Sequence, residues 1–240
     1  MCLPAARMKM PDTTAFPLPA EGPLGILGGT FDPVHFGHLR LAEEACQALG
    51  LSGVRWIPAG LPPHRATPAA SAQDRLAMVR LGIAANPMFS LDDSEVLSKQ
   101  PSYSVPTLQR LRGQLGQQRP LVLLLGVDAF LGLTSWHRWR ELFDLAHLAV
   151  ATRPGYELAA DQLEDALAEE FRQRECHAAA ALAAAPAGRI LTFRITALDI
   201  SATVLRALCK ADGSGRSGSG GRYLLPDSVL DYISTHHIYA

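Results

Sequence analysis

Five consecutive aliphatic residues, Leu121-Val122-Leu123-Leu124-Leu125, do most to limit what this chain can become. Side chains alternate across a strand, so a run with no polar position must be covered on both faces. That is the signature of a parallel sheet sheathed by helices. The run is also far too short to cross a bilayer, which takes roughly 20 apolar residues. Weaker versions recur at 24–29, 54–58, 89–91, 146–151 and 190–193. Between them lie helical stretches. Residues 37–49 carry an apolar face of Leu39, Leu41, Ala42, Ala45 and Leu49, and similar patterns cover 72–85, 105–114 and 201–209. Residues 158–185, rich in alanine, read as one long helix, and a last helix covers 229–233 after Pro226 and Asp227. Strands alternating with helices predict an α/β fold: a Rossmann-like, doubly wound parallel sheet of six strands with helices on both faces.

The chain has 240 residues, of which 48% are hydrophobic and 19% charged, enough apolar material for one large core without staples. Residues 1–23 are Pro-rich and aperiodic and read as a loose arm, with no apolar stretch suited to a signal peptide. Residues 24–240 read as a single domain, with a mobile Gly/Ser loop at 212–221. The net charge of −1 argues against a nucleic-acid partner, though not against a small anionic ligand. No stretch suggests a membrane partner. Cys2, Cys46, Cys176 and Cys209 are scattered and lack a CxxC pair, which points to reduced thiols in a cytoplasmic protein.

Directly after the first strand stands Gly28-Gly29-Thr30-Phe31-Asp32-Pro33-Val34-His35-Phe36-Gly37-His38. This is the edge where α/β proteins place ligands. The glycines allow close backbone approach, and His35 and His38 share a face at a helix start, where unpaired N–H groups favour anions. Two other readings of the pair stay open: structural histidines, or two ligands of a metal lacking an evident third. A dinucleotide fingerprint fits less well, because histidines stand where its third glycine belongs. A second element follows the last strand. Ser201 is suited to cap the helix at 201–209, Thr203 lies in its first turn, and Arg206 can fork onto phosphate oxygens. Ordinary capping explains that segment alone; with the first loop, two helix starts could clasp one polyphosphate.

Residues 28–38 resemble the (T/H)xGH signature of the HIGH-type nucleotidylyltransferase superfamily, here as HxGH, and Ile200-Ser201-Ala202-Thr203-Val204-Leu205-Arg206 resembles its second signature. Within it the chain is similar to the nicotinate-nucleotide adenylyltransferases. That likeness rests on Pro62-Pro63-His64-Arg65, Ser102-Tyr103-Ser104 with Thr107-Leu108, Gly126-Val127-Asp128 with Trp136, and Arg153-Pro154-Gly155. It covers about residues 24–237, apart from the Gly/Ser loop. The resemblance implies transfer of AMP from ATP to nicotinate mononucleotide, with Mg²⁺ required, giving nicotinate adenine dinucleotide and pyrophosphate.

By the same resemblance, His35, His38 and Arg206 act in catalysis. Gly28, Gly29, Thr30, Phe31, Ser201, Thr203, Arg153 and Asp128 meet ATP. Ser102, Tyr103, Ser104, Trp136, His137 and His64 meet the nicotinate nucleotide. Two positions depart from the family pattern: Ser104 stands for the usual Thr, and His137 for a common Tyr after the tryptophan. Both bear on the pyridine end.

Blander roles remain beside these. Asp128 could cap a local turn, and Trp136 could pack like Trp139 three residues on. His64 could face solvent, Asp32 could cap the turn at Pro33 or touch a metal indirectly, and Arg75 reads as a surface residue. Three rival functions stay open. One is transfer to another phosphorylated acceptor, such as nicotinamide mononucleotide or phosphopantetheine, or cytidylyl transfer. The others are a non-catalytic nucleotide-binding domain and a redox enzyme holding a dinucleotide.

Overall fold

A computed structural model describes residues 21–63, 67–210 and 219–240. In chain order the elements are β1 (Leu24–Gly29), α1 (Phe36–Leu49), β2 (Gly53–Pro58), α2 (Ala72–Ile83), β3 (Phe89–Leu91), α3 (Ser94–Leu97) and α4 (Ser104–Leu115). Then come β4 (Leu121–Gly126), α5 (Val127–Leu131), α6 (Leu142–Leu145), β5 (His147–Thr152), α7 (Asp165–Arg174) and β6 (Glu175–Cys176). The last are α8 (Ala180–Ala183), β7 (Ile190–Arg194), α9 (Ala202–Cys209) and α10 (Asp227–Thr235).

The strands form one sheet in the order β3-β2-β1-β4-β5-β7-β6, every pairing parallel. The order reverses between β1 and β4, so the crevice expected of a doubly wound sheet opens there. The aliphatic run explains the layering. Leu121, Leu123 and Leu125 of β4 join one buried cluster with α4, α6 and α7, and Val122 and Leu124 join the other with α1, α2, α9 and α10. All β4 side chains from Leu121 to Leu125 are 5% exposed or less, as a strand covered on both faces requires.

One predicted element is corrected. The stretch 158–185 is four pieces, not one helix: a short 3₁₀ turn at Ala160–Gln162, then α7, β6 and α8. Leu158 and Leu163 are buried ahead of α7. Glu175 and Cys176 pair with Ile190 and Leu191, giving the sheet a seventh strand. Tertiary pairing overrides alanine's helix preference here.

At the N-terminal edge the Pro23 carbonyl already accepts from the Ser52 backbone N–H at 2.8 Å. The Gly/Ser loop lies outside the described residues over 211–218. Cys46, Cys176 and Cys209 are free thiols. No helix among the described residues is long and apolar enough to cross a membrane.

Candidate active site

Because every strand is parallel, the segments after β1, β2, β4, β5 and β7 all leave from one edge of the sheet. Residues 28–38, 59–61, 126–128, Arg153 and the approach to α9 therefore line the same border.

The first loop is built tightly. His35 is the N-terminal flanking residue of α1, extended at φ −150°, and its carbonyl accepts from the N–H groups of His38 and Leu39 at 3.0 and 3.2 Å. Its ring stacks on that of His38, centroids 3.8 Å apart and tilted by 28°, and Phe31 meets His38 edge-on at 5.1 Å. His35 is 6% exposed and its Nδ1 is buried with no hydrogen-bond partner, while burial pulls its pKa down to about 4. At neutral pH it is an uncharged imidazole with one N–H to donate. Gly37 is required beside it: a Cβ there would stand 3.0 Å from both Cε1 and Nδ1 of His35. Gly29 plays the same part for Phe31, whose ring a Cβ would meet at 2.9 Å. The Phe31 side chain is buried, and its ring supports His38 from below.

The second helix start reaches this loop. Ser201 caps α9, its hydroxyl oxygen accepting from the Val204 N–H at 3.2 Å, which leaves the O–H as a donor. Arg206 donates to the Asp32 carbonyl at 2.8 Å and to the Thr203 hydroxyl at 3.2 Å. The Ile200 carbonyl lies 3.9 Å from where a Cβ on Gly37 would sit. Glu44 of α1 also accepts from the Thr196 N–H at 2.6 Å, pinning the β7–α9 connection onto α1. HxGH and the Ser201–Arg206 segment thus converge. Beside them Thr203, Arg206, Lys210 and Tyr239 line an open pocket of about 560 Å³.

The pyridine-side residues are also drawn together. The Ser102 hydroxyl accepts from the N–H groups of Gly60 at 2.9 Å and Leu61 at 3.3 Å, fixing the chain after β2. The Tyr103 and His137 rings lie 4.5 Å apart. Ser104 opens α4, which has no side-chain cap. Trp136 is half-buried, whereas Trp139 is buried with the Arg140 guanidinium 4.5 Å above its ring. The two tryptophans belong to separate parts of the chain's turn, since Trp139 starts a new 3₁₀ segment. Asp128 is exposed in the first turn of α5, and Arg153 is exposed just past β5. His64 lies outside the described residues.

The sequence matches the cytidylyltransferase-like family over residues 26–208. A relative from Dechloromonas aromatica, described as a probable nicotinate-nucleotide adenylyltransferase, is 58% identical over 217 residues, covering 90% of this chain and 97% of that protein. The chain belongs to the nicotinate-nucleotide adenylyltransferase family. A second relative so described, from Acidithiobacillus ferrooxidans, is 47% identical over 90% of this chain and 95% of that protein. Among solved structures, the fold is similar to that of Plasmodium falciparum nicotinic acid mononucleotide adenylyltransferase complexed with NaAD. The TM-score is 0.67 at 14% identity, over 91% of this chain and 98% of that one.

This nicotinate-nucleotide adenylyltransferase family member holds its loops with residues that sequence reasoning missed. Arg75, expected at the surface, is 1% exposed. It donates to the carbonyls of Thr30, Ala59 and Gly60 at 2.7, 2.6 and 3.1 Å, clamping the two loops that leave β1 and β2. Glu95 accepts from the Thr107 hydroxyl beneath the Ser102 turn, and its burial raises its pKa. Asp32 is expected to cap the turn at Pro33, but the partners of its carboxylate are distant in sequence: the N–H groups of Ala69 and Ala70 and the Tyr239 hydroxyl. An arginine inside an otherwise apolar helix face was the one available signal for Arg75.

Proposed function

We propose that this chain transfers the adenylyl group of ATP to nicotinate mononucleotide in a cytoplasmic setting, with residues 24–240 acting as one catalytic domain. The observation that supports this most is the Arg206 guanidinium reaching the loop that carries His35 and His38. Two helix starts then face one chain of phosphates, and unpaired helical N–H groups favour such anions.

An oxygen of the mononucleotide 5′-phosphate attacks the α-phosphorus of ATP. The new P–O bond forms as the bond to the bridging oxygen breaks, and pyrophosphate leaves with that electron pair. Both reactants are anions, so the protein aligns them and stabilises developing charge. His35, neutral through burial, contributes an N–H rather than a positive charge. His38 stacks against it and shares the α-phosphate. The Ser201 and Thr203 hydroxyls donate to the β and γ oxygens, and Arg206 offsets the charge of the leaving pyrophosphate.

Mg²⁺ belongs to the proposal as the ion that neutralises the ATP phosphates. Among the described residues no cluster of His, Cys, Asp and Glu is arranged to hold a metal. Asp32, the nearby carboxylate, already accepts three hydrogen bonds. That donor set suits an ion carried mainly by phosphate oxygens and water. At the acceptor end, the uncapped start of α4 beside Tyr103 and His137 suits the nicotinate carboxylate, which favours the acid over the amide. Gly28, Gly29, Thr30 and Asp128 complete the ATP side, Arg153 adds charge there, and Trp136 offers a face to the pyridine ring.

The test is pyrophosphate release from ATP and Mg²⁺ with nicotinate mononucleotide, its amide and phosphopantetheine in parallel. Release with nicotinate mononucleotide is expected. Release with phosphopantetheine alone overturns the acceptor assignment, and ATP binding without release with any acceptor makes the chain a binding domain.

A further inference from the structure

Asp32 is the residue on which four segments meet, and the last of them has no role in the reading above. Its carboxylate is 6% exposed. Oδ2 accepts from the Ala69 N–H at 2.7 Å; Oδ1 accepts from the Ala70 N–H at 3.1 Å and from the Tyr239 hydroxyl at 2.7 Å. Its backbone carbonyl accepts from Arg206 at 2.8 Å, while the same Arg206 nitrogen stands 3.8 Å from Oδ2. Asp32 therefore presents Arg206 with two acceptors. The neutral carbonyl takes the hydrogen bond, and the charged carboxylate makes only a long ion pair through Oδ2.

We propose that Tyr239 is a positioning residue of the phosphate site: its hydroxyl, bonded to Oδ1, keeps the Asp32 carboxylate from closing its long 3.8 Å ion pair with Arg206 into a direct fork, leaving that guanidinium for the phosphates of ATP. The inference rests on the adenylyl-transfer reading for what Arg206 binds. A carboxylate forks onto guanidinium as well as a phosphate does. An Asp32 side chain free to turn would compete with ATP inside the protein itself. Tyr239 supplies the shortest donor on Oδ1, equal in length to the Ala69 contact on Oδ2. Without it Oδ1 keeps only the 3.1 Å bond to Ala70.

Tyr239 is well placed to do this. It lies on the wall of the pocket that Thr203, Arg206 and Lys210 also line. Its hydroxyl stays protonated at neutral pH, because burial and the Asp32 charge both raise its pKa. The segment that carries it is anchored independently. Tyr232 of α10 donates to Asp74 in the first turn of α2 at 3.0 Å, and the Ile238 N–H closes back onto the Ile233 carbonyl at 3.0 Å. The chain after α10 is thus fixed to α2 before it reaches Asp32.

Tyr239→Phe keeps the ring and removes only the donor. Steady-state pyrophosphate release is measured for the full chain, wild type and variant, with the Kd of a non-hydrolysable ATP analogue beside it. The KM for ATP and that Kd are expected to rise about tenfold, with the KM for nicotinate mononucleotide unchanged within about twofold. Asp32→Asn supplies the second arm. A neutral amide is a poor rival for guanidinium, so adding Tyr239→Phe to Asp32→Asn should change the ATP terms less than about twofold. Unchanged ATP terms in the single variant overturn the proposal. So do equal rises for both substrates, or effects that add in the double variant. If the wild-type chain releases no pyrophosphate with any acceptor, the adenylyl-transfer reading fails, and the analogue Kd alone still decides the role of Tyr239.

Discussion

Gly37→Ala separates the chemistry of the first loop from the stability of the helix it opens. The new methyl carbon would stand 3.0 Å from Cε1 and Nδ1 of His35. Ordinary carbon contacts are longer, so the ring must yield by a few tenths of an ångström. It cannot move freely, because His38 is stacked on it with centroids 3.8 Å apart. Displacing groups aligned for an in-line transfer by an ångström costs about 100-fold in rate, so a few tenths costs about threefold to tenfold. A threefold to tenfold loss is about 0.7–1.4 kcal/mol of transition-state stabilisation. Stability should move little or in the opposite direction, since Ala favours a helix over Gly by up to about 1 kcal/mol. Initial rates of pyrophosphate release and a thermal melt on the same preparation check both quantities. Lower kcat with an equal or higher Tm is expected. Unchanged kcat would refute the claim that His35 is held in register by the missing side chain.

Three more outcomes follow from the geometry. Arg75→Lys replaces a fork on three carbonyls by a point charge that cannot span both loops, so unfolding in urea should show a loss of about 2–4 kcal/mol; less than about 1 would make the clamp dispensable. The His35 pKa is about 4 in the folded chain against an ordinary 6.5, so the unfolded chain takes up the extra proton as pH falls. The resulting stability is fully present above pH 6.5 and lost down to about pH 4, on the order of 3 kcal/mol. A His35→Gln variant should lack that component in pH-dependent melts, and parallel curves for the two proteins would contradict it. His38→Ala should lower kcat by about 100-fold, and an unchanged kcat in the release assay would remove His38 from the chemistry.

The layering of this fold is legible in β4, because an aliphatic run without a polar position has only one arrangement that covers it. The glycines and histidines after β1 were legible for a similar reason: backbone approach and a helix start are local properties. What stayed hidden depends on distance along the chain. The carbonyl partners of Arg75 lie up to 45 residues away, and Tyr239 meets Asp32 across 207. An arginine on an apolar helix face is a local hint of burial for Arg75, but it does not name those partners, and Tyr239 carries no such hint. The stretch 158–185 misleads for a related reason. Its alanines favour a helix locally, yet Glu175 and Cys176 gain more by completing the sheet beside Ile190 and Leu191. Ser102 shows a third case, since a hydroxyl expected to face the pyridine ring also accepts two backbone N–H groups from the loop after β2.

A crystal structure of the chain with a non-hydrolysable ATP analogue and Mg²⁺ bears on the account most directly. The triphosphate should lie between the two helix starts, within hydrogen-bond reach of His35 or His38 at one end and of Thr203 and Arg206 at the other. Phosphates that touch only one of those segments, or an analogue seated elsewhere on the sheet, would contradict it.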